Sequence, residues 1–188
     1  MLTKNINFKK FLIKTKNFKV KKDLNLLLEK KLELLNCLRP NYKYSYSKKI
    51  LQKLKKFQNI RIIGIGGSIL GTEAIHDFLK HRIKKKINFI DNLNNITEVK
   101  NDKKFLNLII SKSGNTLETI ANSNVLIKNN DKNIFVTENK NNYLKQLANK
   151  LKSDVIEHKN FIGGRFAVLS EVGMLPSQLM GLNESKFK

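Results

Sequence analysis

At 188 residues the chain can bury one complete core with a small appended subdomain, and its 40 % hydrophobic content excludes a disordered tail. Its apolar runs are only a few residues long, far short of the about 20 that a membrane-spanning helix requires. A formal net charge of +22 points first to nucleic acid. However, only four of the 37 basic residues are arginine, the side chain best suited to bidentate phosphate and base contacts, while asparagine occurs 25 times. Lys, Asn, Ile and Phe rising together is the mark of an AT-rich coding sequence, so the charge reads as a solvated lysine surface. No specific nucleic-acid partner and no membrane partner are expected.

Residues 1–19 are basic and aperiodic and read as an arm. Residues 1–60 hold 17 basic and 3 acidic side chains, which is +14 of the +22. From Val20 to Leu38, the residues Val20, Leu24, Leu27, Leu28, Leu35 and Leu38 recur at the three-to-four spacing of a buried helix face. Arg39-Pro40 stops this helix. Cys37, the single cysteine, lies on the same stretch and reads as a buried structural thiol in a reducing compartment. Since the first twenty residues show no apolar h-region or small-residue cleavage site, a cytoplasmic location is expected. A second short helix is predicted over Ser47 to Phe57, with Ile50, Leu51 and Leu54 inward.

The pattern changes near residue 60. Ile60 to Ile65 is a β-branched run ending in glycines, as in a buried parallel strand. A helix is predicted from Leu70 to Arg82, with Leu70, Ala74, Ile75, Phe78 and Leu79 on its inner face. Strands follow at Ile87–Ile90, Phe105–Ile110, Asn133–Val136 and Asp154–Ile156, and helices at Leu117–Ile127 and Tyr143–Leu151. Such alternation implies βαβ units around a parallel sheet covered on both faces. Ligands in these sheets bind beyond the carboxyl ends of the strands. The division expected is residues 1–58, arm and helices, and residues 59–188, the sheet domain.

Three loops carry candidate chemistry. In the first, Gly64-Ile65-Gly66-Gly67-Ser68-Ile69-Leu70-Gly71, glycines allow close backbone approach and the next helix offers free N–H groups to an anion. It departs from the dinucleotide fingerprint at Ile69, from the P-loop at Thr72 and from the nucleophile elbow at Leu70. The second loop, Ser111-Lys112-Ser113-Gly114-Asn115-Thr116-Leu117-Glu118-Thr119, brings several hydroxyls to a strand end and a helix start. Thr116 alone would suffice as a helix cap. Several hydroxyls with backbone N–H groups make a phosphate monoester site that needs no arginine. The third loop, Gly163-Gly164-Arg165-Phe166, places one of the few arginines beside two glycines, either as a functional fork or in a surface salt bridge.

Together, GIGGSxLG, SKSGxTLET about forty residues on, and GGRFAVLS-VG about fifty beyond that closely resemble the glucose-6-phosphate isomerase family over about residues 60–182. The resemblance implies the sugar isomerase (SIS) fold: an α/β three-layer sandwich with a five-stranded parallel sheet flanked by helices, behind a helical N-terminal lead-in. It further implies that Ser111, Ser113 and Thr116 bind the substrate phosphate, with Lys112 in the same loop. Gly67 and Ser68 would line the sugar, and Gly164 and Arg165 would sit beside the reacting carbons, Arg165 stabilising the enediolate. Asn115 departs mildly from the family's usual Thr or Gly.

The family interconverts glucose 6-phosphate and fructose 6-phosphate without metal or cofactor, as a homodimer. Its general base is a glutamate in a later segment, and a ring-opening histidine and a lysine come later still. His76, His81 and His158 match none of these positions, and nothing in the resemblance makes Glu171 the base. The sequence is therefore expected to be the N-terminal part of such an enzyme, truncated before its base. A stand-alone SIS module that senses a sugar phosphate is the alternative, against which the third loop argues.

Overall fold

The computed structural model describes residues 17–30, 32–93, 104–128 and 130–188. Most of the expected basic arm, residues 1–16, lies outside the described residues. Helix α1 (Phe18–Glu29) is capped by Asn17, whose side chain accepts from Val20 N. The chain turns extended at Lys30, and a separate 3-10 turn follows at Glu33–Leu38. The predicted helix to Leu38 is thus two elements. Its apolar stripe is not buried either: Val20, Leu24, Leu27, Leu28 and Leu38 are exposed, and α1 has no buried residue. Cys37, in contrast, is buried in the main core. Helix α2 (Lys48–Leu54) starts at Ser47, whose hydroxyl accepts from Ile50 N, and it buries Leu54.

Five strands follow: β1 (Asn59–Ile63), β2 (Lys86–Ile90), β3 (Leu106–Ile110), β4 (Lys132–Thr137) and β5 (Asp154–Glu157). All pair in parallel, in the order β2-β1-β3-β4-β5. The crossover helices are α3 (Leu70–Leu79), α4 (Leu117–Leu126) and α5 (Tyr143–Lys150). The three-layer α/β architecture expected from the alternating pattern is present. The strand order reverses between β1 and β3, so the switch point lies between their carboxyl ends, where the first two candidate loops begin.

The period-two alternation of the strands divides the interior. On one face Ile60, Ile62, Leu108, Ile110, Ile134 and Val136 pack with Cys37, Tyr46, Leu54 and the helix that follows the third loop. On the other face Ile63, Ile109 and Phe135 pack with Leu126, Leu144 and Ala148. Polar groups cross the sheet near its amino edge. Arg61, Asn107 and Asn133 lie in register on adjacent strands. Arg61 Nη1 donates to Asn107 Oδ1 at 3.1 Å and to the Leu126 carbonyl at 3.0 Å. Asn107 Nδ2 donates to Asn133 Oδ1 at 2.8 Å and to Asp131 Oδ2 at 3.0 Å. A one-residue slip would bury these groups unpaired, so the network fixes strand register.

Helix α3 turns only part of the predicted face inward, with Ile75 and Leu79 half-buried. Leu70, Ala74 and Phe78 face out, with Phe78 82 % exposed. Thr72 is buried and its hydroxyl donates to the Val172 carbonyl at 3.3 Å. The reason is its neighbour, helix α6 (Glu171–Leu179), every residue of which is buried. A Cβ on Gly71 would stand 2.8 Å from the side chain of Val168, and one on Gly173 would overlap the Val168 backbone. Small residues, not large apolar ones, therefore set this contact. The sequence pattern did not predict α6.

Glu171 ties the segment ahead of α2 to the start of α6. Its buried carboxylate accepts from Tyr42 Oη at 3.0 and 3.1 Å, from Ser45 N at 2.9 Å and from Ser45 Oγ at 3.1 Å. It also sits in the first turn of α6, where negative charge is favoured. Glu171→Ala is expected to cost about 2–4 kcal/mol in urea unfolding, since charged hydrogen bonds are lost and their donors stranded. A loss below about 0.5 kcal/mol would show that the clamp does not hold the lead-in.

Candidate functional site

The three candidate loops all begin at the carboxyl edge of the sheet. The first leaves β1 through Gly64, whose N–H donates to the Ile90 carbonyl at 3.1 Å. A Cβ at Gly64 would stand 3.0 Å from the Ile110 carbonyl, so the ends of β1 and β3 lie against each other at the switch point. The chain then makes a 3-10 turn over Gly66–Ser68 into α3.

The second loop is a compact hydroxyl cluster. Ser111 Oγ lies 2.8 Å from Thr116 Oγ1, and Ser113 Oγ lies 3.5 Å from each of them. The backbone N–H groups of Gly114 and Asn115 donate to Ser111 Oγ and Ser113 Oγ, both at 3.2 Å. Thr116 occupies the N-cap position of α4 but makes no capping bond with its side chain. The capped-loop reading therefore fails. The first-turn N–H groups of α4 receive no side-chain cap and remain available to an anion beside the exposed Ser113 and half-buried Thr116, while Ser111 is buried. Thr119 does not join them, as its hydroxyl is buried without a partner among the described residues.

The backbone of this loop is held by residues that the sequence pattern does not single out. Gly114 has φ +68, and a Cβ there would overlap the Asn142 side chain. Asn142 caps α5 by accepting from Lys145 N at 2.9 Å. Asn115 Oδ1 accepts from Tyr143 N at 2.9 Å, so the departure at this position supplies a second bond to the same helix start. An asparagine just before an amphipathic stretch was the available signal for Asn142; Asn115 stood out only as a departure from the family's usual residue.

Lys112 is neither free in solvent nor turned onto the hydroxyls. Its ammonium donates to the Asn160 carbonyl at 2.6 Å and lies 3.6 Å from Glu138, which also pairs with Lys140. The hydrogen bond from Lys140, with the Lys140 and Lys112 charges, holds the Glu138 carboxyl below the usual range. Lys112 thereby ties the second loop to the segment that leads into the third.

The third loop is a 3-10 turn over Gly164–Leu169 that runs directly into α6. It meets the first loop backbone to backbone: a Cβ on Gly67 would overlap the main chain of Gly164. Gly67 and Gly164 are therefore brought into contact, with Ser68 and Arg165 as their next residues. Arg165 is exposed and makes no ion pair or hydrogen bond among the described residues, so the surface salt-bridge reading finds no support. Gly64 connects the first loop to the second and Gly67 connects it to the third, which gathers all three at one edge.

The phosphoglucose isomerase family profile matches residues 45–186, most of the chain. The chain belongs to this family. It is 34 % identical over 148 residues to a glucose-6-phosphate isomerase of Methanocaldococcus jannaschii, covering 72 % of this chain and 36 % of that protein. To the Fusobacterium nucleatum glucose-6-phosphate isomerase it is 33 % identical over 166 residues, 74 % of this chain and 37 % of that one. The chain thus spans less than two-fifths of these relatives. Among solved structures, a hypothetical protein from Thermus thermophilus aligns with a TM-score of 0.66 at 21 % identity, covering 89 % of this chain and 44 % of that one. The tagatose-6-phosphate ketose/aldose isomerase of Escherichia coli aligns at 0.54 and 17 %, covering 88 % and 45 %. At these identities the two structures show a shared fold. No helix among the described residues is long and apolar enough to cross a membrane.

Two outcomes follow from this geometry in the phosphoglucose isomerase fold. Gly67→Ala should push the first and third loops apart, costing about 1–3 kcal/mol of stability; unchanged thermal unfolding would show that the loops tolerate separation. The second concerns His158, buried just past β5, with Nδ1 3.1 Å from the Lys159 carbonyl. Burial pushes its pKa below 6.5, so the folded state resists a proton that the unfolded chain accepts. Stability should therefore fall as pH drops below about 6.5 toward the folded-state pKa, and His158→Gln should flatten that fall in urea midpoints. Parallel pH profiles for the two proteins would contradict it.

Proposed function

We propose that the chain is the sugar-phosphate-binding part of a glucose-6-phosphate isomerase, which interconverts glucose 6-phosphate and fructose 6-phosphate in glycolysis and gluconeogenesis. The observation that carries this reading is the cluster of Ser111, Ser113 and Thr116 hydroxyls at the uncapped start of α4, beside the switch point of the sheet. A phosphate monoester there receives hydroxyl and backbone donors together with the positive end of the helix dipole. Lys112 borders the same loop. Gly67 and Ser68 are assigned to the sugar, and Gly164 and Arg165 to the reacting end.

Arg165, exposed and without an ion pair among the described residues, is available to stabilise the negative charge of an enediolate. The proton shuttle between C1 and C2 needs a carboxylate within reach of both carbons. Glu171 does not fill that role in this reading, because its oxygens are engaged by Tyr42 and Ser45. The base is assigned, as the family resemblance implies, to a glutamate outside residues 1–188. Cytoplasmic location and assembly as a homodimer belong to the same proposal.

A coupled assay on residues 1–188 is expected to show fructose 6-phosphate binding without interconversion. Turnover by this chain alone would place a base within it and overturn the assignment. Ser113→Ala and Thr116→Val should each weaken sugar-phosphate binding by about 1–3 kcal/mol, roughly 5- to 150-fold in Kd. Unchanged affinity in both variants would sink the phosphate loop.

A further inference from the structure

Two helices start beside the second loop, and their N-termini are used differently. At α4 no side chain caps the first turn. At α5 each of the first three N–H groups has an acceptor. Tyr143 N donates to Asn115 Oδ1 at 2.9 Å, Leu144 N to the Gly114 carbonyl at 3.0 Å, and Lys145 N to Asn142 Oδ1 at 2.9 Å. Two of these three acceptors belong to the second loop itself. The start of α5 is therefore occupied in holding the loop, and the open donors for an anion at this corner are those of α4.

Asn142 stands at the centre of this support. It is buried, and both ends of its carboxamide are engaged. The oxygen caps α5, while Nδ2 donates to Thr137 Oγ1 at 3.1 Å and to the Lys140 carbonyl at 3.2 Å. Thr137, fully buried at the end of β4, passes the bond on: its hydroxyl donates to the Lys112 carbonyl at 3.3 Å. A relay thus runs from Asn142 through Thr137 to the backbone of the second loop. The same asparagine side chain lies against Gly114, where a Cβ would overlap it. Asn142 therefore supports the loop at residues 112 and 114, on either side of Ser113.

A helix cap needs only an oxygen at this position, and serine supplies one as well as asparagine does. The Nδ2 donor and the bulk against Gly114 go beyond that need, and both are directed at the second loop. Hydroxyl and N–H donors bind an anion well when their geometry exists before the ligand arrives, because ordering a loop on binding costs free energy. We propose that Asn142 is a positioning residue for sugar-phosphate binding, which fixes the backbone around Ser113 so that its hydroxyl and the first turn of α4 face one phosphate. This rests on the assignment of the second loop to the phosphate. Asn142 itself touches no ligand in this arrangement; it acts through Thr137 and Gly114.

Isothermal titration of residues 1–188 with fructose 6-phosphate tests this in Asn142→Ser, which keeps a capping oxygen for α5 but loses the Nδ2 donor and the contact with Gly114. Affinity should fall about tenfold. In the free variant the Gly114 and Asn115 amides should exchange with solvent faster than in the wild type. Thr137→Val leaves Asn142 and its cap in place and removes only the relay, so it tests the same role should Asn142→Ser fold poorly; it should weaken binding about threefold. Ser113→Ala is the reference. If Ser113→Ala weakens binding while Asn142→Ser and Thr137→Val bind as the wild type does, the phosphate assignment stands and the positioning role is overturned. Wild-type exchange at Gly114 and Asn115 in Asn142→Ser overturns it equally, since the loop then keeps its shape without the carboxamide. If none of the three substitutions changes the affinity, the phosphate assignment fails and the proposal fails with it.

Discussion

The site depends on one close approach, main chain against main chain, between Gly67 and Gly164. The two glycines belong to loops far apart in sequence, and no side chain larger than hydrogen fits at Gly67. The contact holds only while the third loop is kept in place from behind. Val168 does this by sitting against Gly71 of α3 and Gly173 of α6, so that the turn carrying Arg165 is wedged between two helices. Helix α6 is in turn fixed at its start by the Glu171 carboxylate, which Tyr42 and Ser45 of the lead-in hold. The geometry around Arg165 is therefore set by a chain of contacts that begins at Tyr42 and Ser45, ahead of the first strand.

This explains which parts of the molecule were readable from sequence. The strands were, because β-branched runs buried on both faces have few alternatives, and Ile62, Leu108 and Ile134 sit where their pattern put them. The hydroxyl loop was too, since its residues are local and their convergence follows from a strand end meeting a helix start. Faces of helices were less readable. Hydrophobic spacing on α3 marked Leu70 and Phe78 as inward, but the neighbour chose Gly71 and Thr72, because close helix contact rewards small residues as well as apolar ones. Helix α6 escaped notice because it is buried all round, so it shows no amphipathic period, and Pro176 interrupts its pattern. Glu171, Asn115 and Asn142 bond to partners that the fold, not the local sequence, supplies.

Arginine usage makes the same point. In a chain that uses lysine almost everywhere, Arg61 reaches across the sheet to a side-chain oxygen and a backbone carbonyl, and its guanidinium also stacks 4.2 Å from the Phe105 ring centroid. A lysine has neither the fork nor the plane for that combination. Burial lowers the Arg61 pKa while Asp131 opposes the shift. Arg165 has no such structural employment among the described residues.

Helix α6 also joins the third loop to the main core. Its first residue is held by Tyr42 and Ser45, and Val172, Leu175 and Leu179 pack into the core beneath the sheet. Because every residue from Glu171 to Leu179 is buried, the helix has no solvent-facing side along which to deform. Close-packed interiors respond to a load at one point by shifting whole elements rather than by compressing. The third loop runs directly into this rigid helix, so the position of Gly164 and Arg165 follows that of α6 as a whole.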